Sequence, residues 1–252
     1  MNLSIVGAGN VATHIAQAAA ANGHRIDAVY SRTAAHAQRL ADLVGARYTT
    51  DLCGLCRTSD IYIISVSDNA ISGIASQLAD TEVIVAHTSG ATDIDALAPC
   101  QRRGVIYPCQ TLTRTAPIDF KGVPLLIEAS DEETRTILME FAKSLSNFVS
   151  QSDSVQRAQM HVAAVVASNF TNRLLTLAHD YLKRHNVPFE MLRPLVEQTV
   201  SKAFTMNPYD AQTGPARRGD TATIERHLQL IDDERLRTIY EMLSNDIMQL
   251  YN

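Results

Sequence analysis

The sequence predicts an α/β fold: a doubly wound parallel sheet followed by an all-α C-terminal domain. Three observations predict it. The first thirty-three residues run as strand, glycine turn, helix and strand. Apolar strand-like runs then alternate with helical segments as far as Leu145. From Ser154 to Asn252 no convincing strand occurs. Strands alternating with helices at this spacing build a parallel sheet, and ligands collect at the carboxyl ends of its strands. The boundary falls near Ser152, which gives domains of residues 1–152 and 153–252.

Each element has a local reason. Leu3-Ser4-Ile5-Val6 is a short apolar run leading into Gly7-Ala8-Gly9-Asn10-Val11-Ala12, and an alanine-rich helix then stops at Asn22-Gly23. A second run, Ile26 to Tyr30, closes on Ser31-Arg32-Thr33. In this GxGxxA pattern Gly7 permits the tight turn, Gly9 lets backbone approach a pyrophosphate, and Ala12 lets the helix pack closely on the strand. The free N–H groups of Asn10, Val11 and their neighbours, at the positive end of the helix, then hold phosphate. An NAD site usually carries Asp or Glu at the end of the second strand, about twenty residues past the glycines. Here Ser31-Arg32-Thr33 stands instead, with His36 and Arg39 one and two turns on. A guanidinium between two hydroxyls suits a 2′-phosphate, so NADP is favoured over NAD.

A helix over Ala34 to Val44 stops at Gly45, and a short strand follows near Arg47-Tyr48-Thr49. The continuous apolar run Ile61 to Val66 is typical of a buried parallel strand. Ser67-Asp68-Asn69 begins the next helix, and Val83 to Ala86 is a strand ending in His87-Thr88-Ser89-Gly90. Two more strands read near Val105-Ile106-Tyr107 and Val123 to Ile127, with a helix from Asp131 to Leu145. Ser154 to His185 reads as one long helix. Its Val162 to Val166 part is apolar nearly all round, which suggests burial between neighbours. Pro188 and Pro194 punctuate a second helix to about Met206, a loop runs from Asn207 to Gly219, and two further helices end the chain.

The bulk numbers exclude several classes. At 252 residues, 46% hydrophobic and 19% charged, the chain has ample core and is not disordered. A formal net charge of −5 argues against nucleic-acid or anionic-membrane surfaces, so any basic cofactor pocket is local. No window approaches twenty uninterrupted apolar residues and no signal-peptide pattern opens the chain, so a cytoplasmic protein with free thiols is expected. Cys53-Gly54-Leu55-Cys56 is a CxxC pair, half a zinc site at best, and reads as two small apolar residues on a packed helix. No metal is expected.

Four groups beyond the glycine turn have the residue types for chemistry. Ser65-Val66-Ser67, at the end of the fourth strand, lies where a nicotinamide ribose passes. His87 to Gly90 ends the fifth; His87 sits beside the cofactor, and Ser89 with Gly90 offers donors for a substrate carboxylate. On the long helix, His161, Ser168 and Asn172 fall within roughly 20° of one line, with Asn169 further round. His161 is then a candidate proton donor and Asn169 a group that orients substrate. The fourth group is Thr213 to Asp220, holding Arg217 and Arg218, with His227 seven residues after Asp220; it reads as a loop closing on an anion or as a surface loop whose Asp caps a helix.

GAGNVA with SRT resembles the NADP-binding domain shared by pyrroline-carboxylate reductases, ketopantoate reductases and deazaflavin-dependent NADP oxidoreductases. HTSG at 87–90, YPCQTLT at 107–113, HVAAVVASNF at 161–170 and TGPARRGD followed by His227 resemble one family of NADP oxidoreductases. Its members join a Rossmann-like domain to a C-terminal helical domain of unknown function. The resemblance implies an NADP-binding fold and a homodimer through the helical domain, and no established substrate. The ketopantoate and hydroxyacid relatives use a lysine with an asparagine four residues later on the first long helix. No lysine lies between Ser154 and Tyr181, and His161 is the nearest ionisable substitute. Two readings follow. One is an NADP-dependent oxidoreductase that reduces a small, anionic carbonyl or imine substrate in a cleft between the domains, with NADPH or a reduced deazaflavin as hydride donor. The other is a non-catalytic NADP-binding sensor or regulatory protein. A methyltransferase that binds another nucleotide on the glycine loop stands third.

Overall fold

A computed structural model gives the architecture, and it describes residues 1–55 and 57–251. The chain divides into two compact units, Met1–Ser168 and Asn169–Asn252. The change of composition at Ser152 marks where the strands end. The units divide sixteen residues further on.

The first unit carries eight strands: β1 (Asn2–Val6), β2 (Arg25–Tyr30), β3 (Arg47–Thr49), β4 (Ile61–Ile64), β5 (Ile84–His87), β6 (Arg103–Pro108), β7 (Leu125–Ala129) and β8 (Val149–Gln151). They form one sheet in the order β3-β2-β1-β4-β5-β6-β7-β8. Helices α1 (Asn10–Ala21), α2 (Ala34–Val44), α3 (Asp68–Gln77) and α4 (Glu132–Leu145) connect them, and α5 (Ser154–Ala164) follows. The order reverses between β1 and β4, the switch point at which such sheets open a crevice. All pairings are parallel except β6 with β7, where Tyr107 faces Leu126. A buried apolar strand looks alike in either direction, so the composition of 123–127 gave no sign of the reversal.

Side chains alternate along the central strands and fill two layers. Ile61 and Ile63 join Leu3, Ile5 and Ile15 on one face, while Tyr62 and Ile64 join Ile71, Val85 and Leu97 on the other. Burial on both faces is what a continuous apolar strand requires. Between β3 and β4 the expected helix is a single 3-10 turn, Leu52–Gly54. Its packed residues are Leu52 and Leu55, and Cys53 is exposed. The helix burial expected for Cys53 is therefore corrected, and Cys56 lies outside the described residues.

The second unit holds α6 (Thr171–Arg184), α7 (Arg193–Thr205), α8 (Pro208–Ala211), α9 (Thr221–Leu230) and α10 (Glu234–Tyr251). Two expectations for the helix begun at Ser154 change. Val165–Phe170 is π-helical, so 3.6 residues per turn does not hold across it, and the alignment expected of His161 with Ser168 and Asn172 is lost. The apolar stretch is also uncovered within one chain: Val162, Val166 and Phe170 are all more than half exposed. Its composition signals a face that needs a partner, and intrachain neighbours do not supply one.

Candidate functional site at the strand ends

The glycine turn is a backbone device. Gly7, at φ +120°, donates its N–H to the Tyr30 carbonyl at 2.8 Å, and a Cβ on it would stand 2.0 Å from the Ser65 carbonyl oxygen. Only glycine closes the turn onto the end of β4. Gly9 is its counterpart, with nothing within 4 Å of an added Cβ. It is the N-cap of α1, no side chain caps that helix, and no acid sits in its first turn. Its leading N–H groups are thus left for an anion.

These elements border an open groove of about 810 Å³. Gly7, Gly9, Asn10 and Val11 form one wall, Ser31, Arg32 and His36 another, and Ser65, Val66 and Ser67 the floor at the end of β4. Arg114, from the segment between β6 and β7, also lines it. Among the described residues no Asp or Glu lines the groove, although the chain as a whole carries a net charge of −5. Its excess of guanidinium and free N–H groups fits a polyanion, and its volume fits a large ligand. Three of the residues named for the cofactor do not line the groove, Ala12 among them because it packs as expected. Ala12 is fully buried and packs α1 on the sheet. Thr33 is the exposed N-cap residue of α2, its N–H donating to Ser31 Oγ at 3.3 Å. His87 is fully buried, and its Nδ1 accepts the Ser89 N–H at 3.1 Å.

Next to the groove, at the ends of β5 and β6, a second cluster forms. Tyr107 Oη lies 3.0 Å from His161 Nδ1, and the two rings meet edge to face. Burial, with a lesser effect of Cys109, pushes the Tyr107 phenol above its ordinary range, so it stays protonated. Gly90 closes the cluster: a Cβ there would lie 2.7 Å from His161 Nδ1 and 2.8 Å from the Tyr107 ring. Ser89 is already engaged, its Oγ accepting the N–H of Ala91 and Thr92 at 3.2 and 3.0 Å. The loop is pinned from beneath. Arg157, 1% exposed, pairs with Glu128 and donates to the Thr92 carbonyl, while Ser154 Oγ donates to Glu128 at 2.9 Å and accepts the Ile94 N–H at 3.1 Å. His87 lies in the same packed region. Burial, then the Arg157 charge, lowers its pKa to about 4, so it is neutral at physiological pH.

The remaining sequence candidates lie in the second unit. Asn169 is exposed within the π-helical turn, a feature frequent at functional sites. The 213–220 loop is tied into its own unit. Asp220 accepts the Thr223 N–H at 3.1 Å and caps α9, Arg217 donates to the Tyr209 carbonyl and stacks on Tyr251, and His227 bonds Tyr240. These bonds fit its structural reading. Sequence reasoning missed Arg114, Tyr107 and Arg157. The only sign of the first two was their place in or beside the YPCQTLT phrase.

Two family models match the chain. Residues 1–110 match a Rossmann-like domain, and residues 123–247 match a domain of unknown function, DUF2520. A Bacteroides fragilis protein, provisionally named an NADP oxidoreductase, is 39% identical over 98% of both chains, with a TM-score of 0.92. A pyrroline-5-carboxylate reductase from Streptococcus pyogenes (12% identity, 99% and 98% of the two chains, TM-score 0.68) shares the fold. So does an imine reductase from Myxococcus stipitatus solved with NADP+ (16% identity, 99% and 93%, TM-score 0.66). No curated protein matches the sequence.

Proposed function

We propose that this chain, which belongs to the family of NADP oxidoreductases joining a Rossmann-like domain to the DUF2520 domain, reduces a small carbonyl or imine substrate. The observation that carries the reading is the groove at the glycine turn, free of carboxylates and flanked by two arginines. NADPH, when bound there, supplies a hydride. The uncapped N–H groups at Gly9, Asn10 and Val11 hold its diphosphate, and Ser31 and Arg32 hold the 2′-phosphate.

The proton comes from His161. As an imidazolium, His161 donates Nδ1–H to the Tyr107 oxygen and passes its Nε2 proton to the carbonyl oxygen or imine nitrogen, leaving a neutral imidazole. Tyr107 holds the ring in place, and Gly90 leaves room for the pair. The Ser89 hydroxyl still has a proton to donate to an anionic end of the substrate. The protein works as a cytoplasmic homodimer. Cys53, Cys100 and Cys109 are free thiols. Among the described residues of the second unit only Leu177, Ala216, Ile224, Ile231 and Ser244 are buried, while Phe204, Met191 and Leu195 are well exposed, so a second copy supplies the missing core.

The test is NADPH oxidation over a panel of keto acids and cyclic imines, with wild type and His161→Ala. Turnover with some member, reduced about a hundredfold or more in the variant, is the expected result. Unchanged turnover in the variant would remove His161 from the role. Tight NADPH binding with no turnover across the panel would favour a sensor.

A further inference from the structure

The geometry points to Arg114 as a second cationic arm of the groove, one that binds the diphosphate of the dinucleotide while Arg32 reads its 2′-phosphate. The inference rests on the cofactor reading above and adds a residue to it. Three observations carry it.

First, Arg114 reaches the groove from a distant part of the chain. It lines the same space as Gly7 to Val11 although it lies between β6 and β7. Second, the chain is held where the side chain can do this. His14, on the second turn of α1, bonds the Thr113 carbonyl through Nε2 at 3.0 Å, and Ala116 N–H donates to the same carbonyl at 3.0 Å. Arg114 therefore follows an anchored residue in a closed turn, fixed against the helix whose N-terminus faces the groove. Third, Arg114 forms no ion pair among the described residues and is exposed. A structural arginine would have a carboxylate or a carbonyl to hold, as Arg157 does.

The charges of the ligand divide in the same way. A diphosphate has two negative charges and sits at backbone N–H groups, which supply only partial charge. Arg32 and His36 stand together at the end of β2, where the ribose of the adenosine lies in such folds. Without Arg114 the diphosphate end of the groove has no full positive charge. The two arginines thus have separable signatures. Removing Arg32 matters only for a ligand with a 2′-phosphate, whereas removing Arg114 matters for any dinucleotide.

Fluorescence titration or calorimetry of the full-length wild type, Arg114→Ala and Arg32→Ala with NADPH and with NADH tests this. The expected result for Arg114→Ala is a rise in Kd of about tenfold for both ligands, the loss of one charge-assisted phosphate contact. Arg32→Ala weakens NADPH alone. Arg114→Lys, which keeps the charge without the planar fork, recovers part of the loss. His14→Ala, which releases the turn, shifts both ligands in the direction of Arg114→Ala by a smaller factor. Unchanged affinities in Arg114→Ala would overturn the assignment. So would a loss confined to NADPH, which would place Arg114 at the 2′-phosphate. A wild type that binds neither dinucleotide removes the cofactor reading itself and this inference with it.

Discussion

The groove at the glycine turn and the cluster around His161 occupy neighbouring strand ends and are built in opposite ways. The groove is open. Its donors are backbone N–H groups and exposed guanidiniums, and Gly9 keeps space clear. The cluster is closed. Tyr107, His87, Arg157 and Gly90 are buried, and each polar group but a few is held by another. The contrast teaches that a large, charged, dissociable ligand is met by accessible dipoles and charge, whereas a proton donor needs a fixed neighbour that holds its ring in place. Stability should therefore be concentrated in the cluster and affinity in the groove, and substitutions can break that division.

The largest effect expected is Arg157→Ala. It leaves the largely buried Glu128 with the Ser154 hydroxyl but no opposite charge and frees the Thr92 carbonyl, so unfolding in urea should show a loss of about 4 kcal/mol. A loss below about 1 kcal/mol would mean the pair is no better than a surface bridge. Gly7→Ala tests the groove's one packed element. The Cβ at 2.0 Å from the Ser65 carbonyl, at a positive φ, should cost at least about 3 kcal/mol and abolish dinucleotide binding. Gly9→Ala meets nothing within 4 Å and should weaken binding with little change in stability, which sharpens the contrast.

His87 adds a pH effect of the third size. Its folded pKa, about 4, lies below the ordinary 6.5, so the unfolded chain takes up the proton first. The stability it contributes is fully present above about pH 6.5, falls as pH falls, and is gone below about pH 4, up to about 3 kcal/mol in all. Thermal unfolding between pH 7 and 4 should show this acid limb, and His87→Gln should flatten it. Gly90→Ala is the smallest, about 1–2 kcal/mol, because the atoms it meets belong to side chains that can give. Its sign is in the nitrogen NMR of His161: with the Tyr107 bond displaced, the Nδ1 resonance should move while Nε2 changes less.

The groove was largely legible in the sequence and the cluster was not, for one reason. Gly7, Gly9, Ser31 and Arg32 belong to a single strand–turn–helix–strand segment, whose local order dictates their places. Tyr107 and His161 are 54 residues apart, and His14 and Thr113 are 99 apart, so their contacts depend on how β6 and its loop return to α1 and α5. Composition carries no sign of that. The same limit hid the antiparallel β7 and the three residues of β8, while the π-helical turn at Val165–Phe170 undid a 3.6-residue projection that was sound for an α-helix.

The measurement that tests the central claim most directly is a side-by-side titration of the wild-type protein with NADPH and NADH. Tighter binding of NADPH by tenfold or more, lost in Arg32→Ala, is the result expected of a groove that reads a 2′-phosphate. Equal affinities would contradict the specificity assigned to Ser31 and Arg32, and no binding of either would reduce the glycine turn to a packing device.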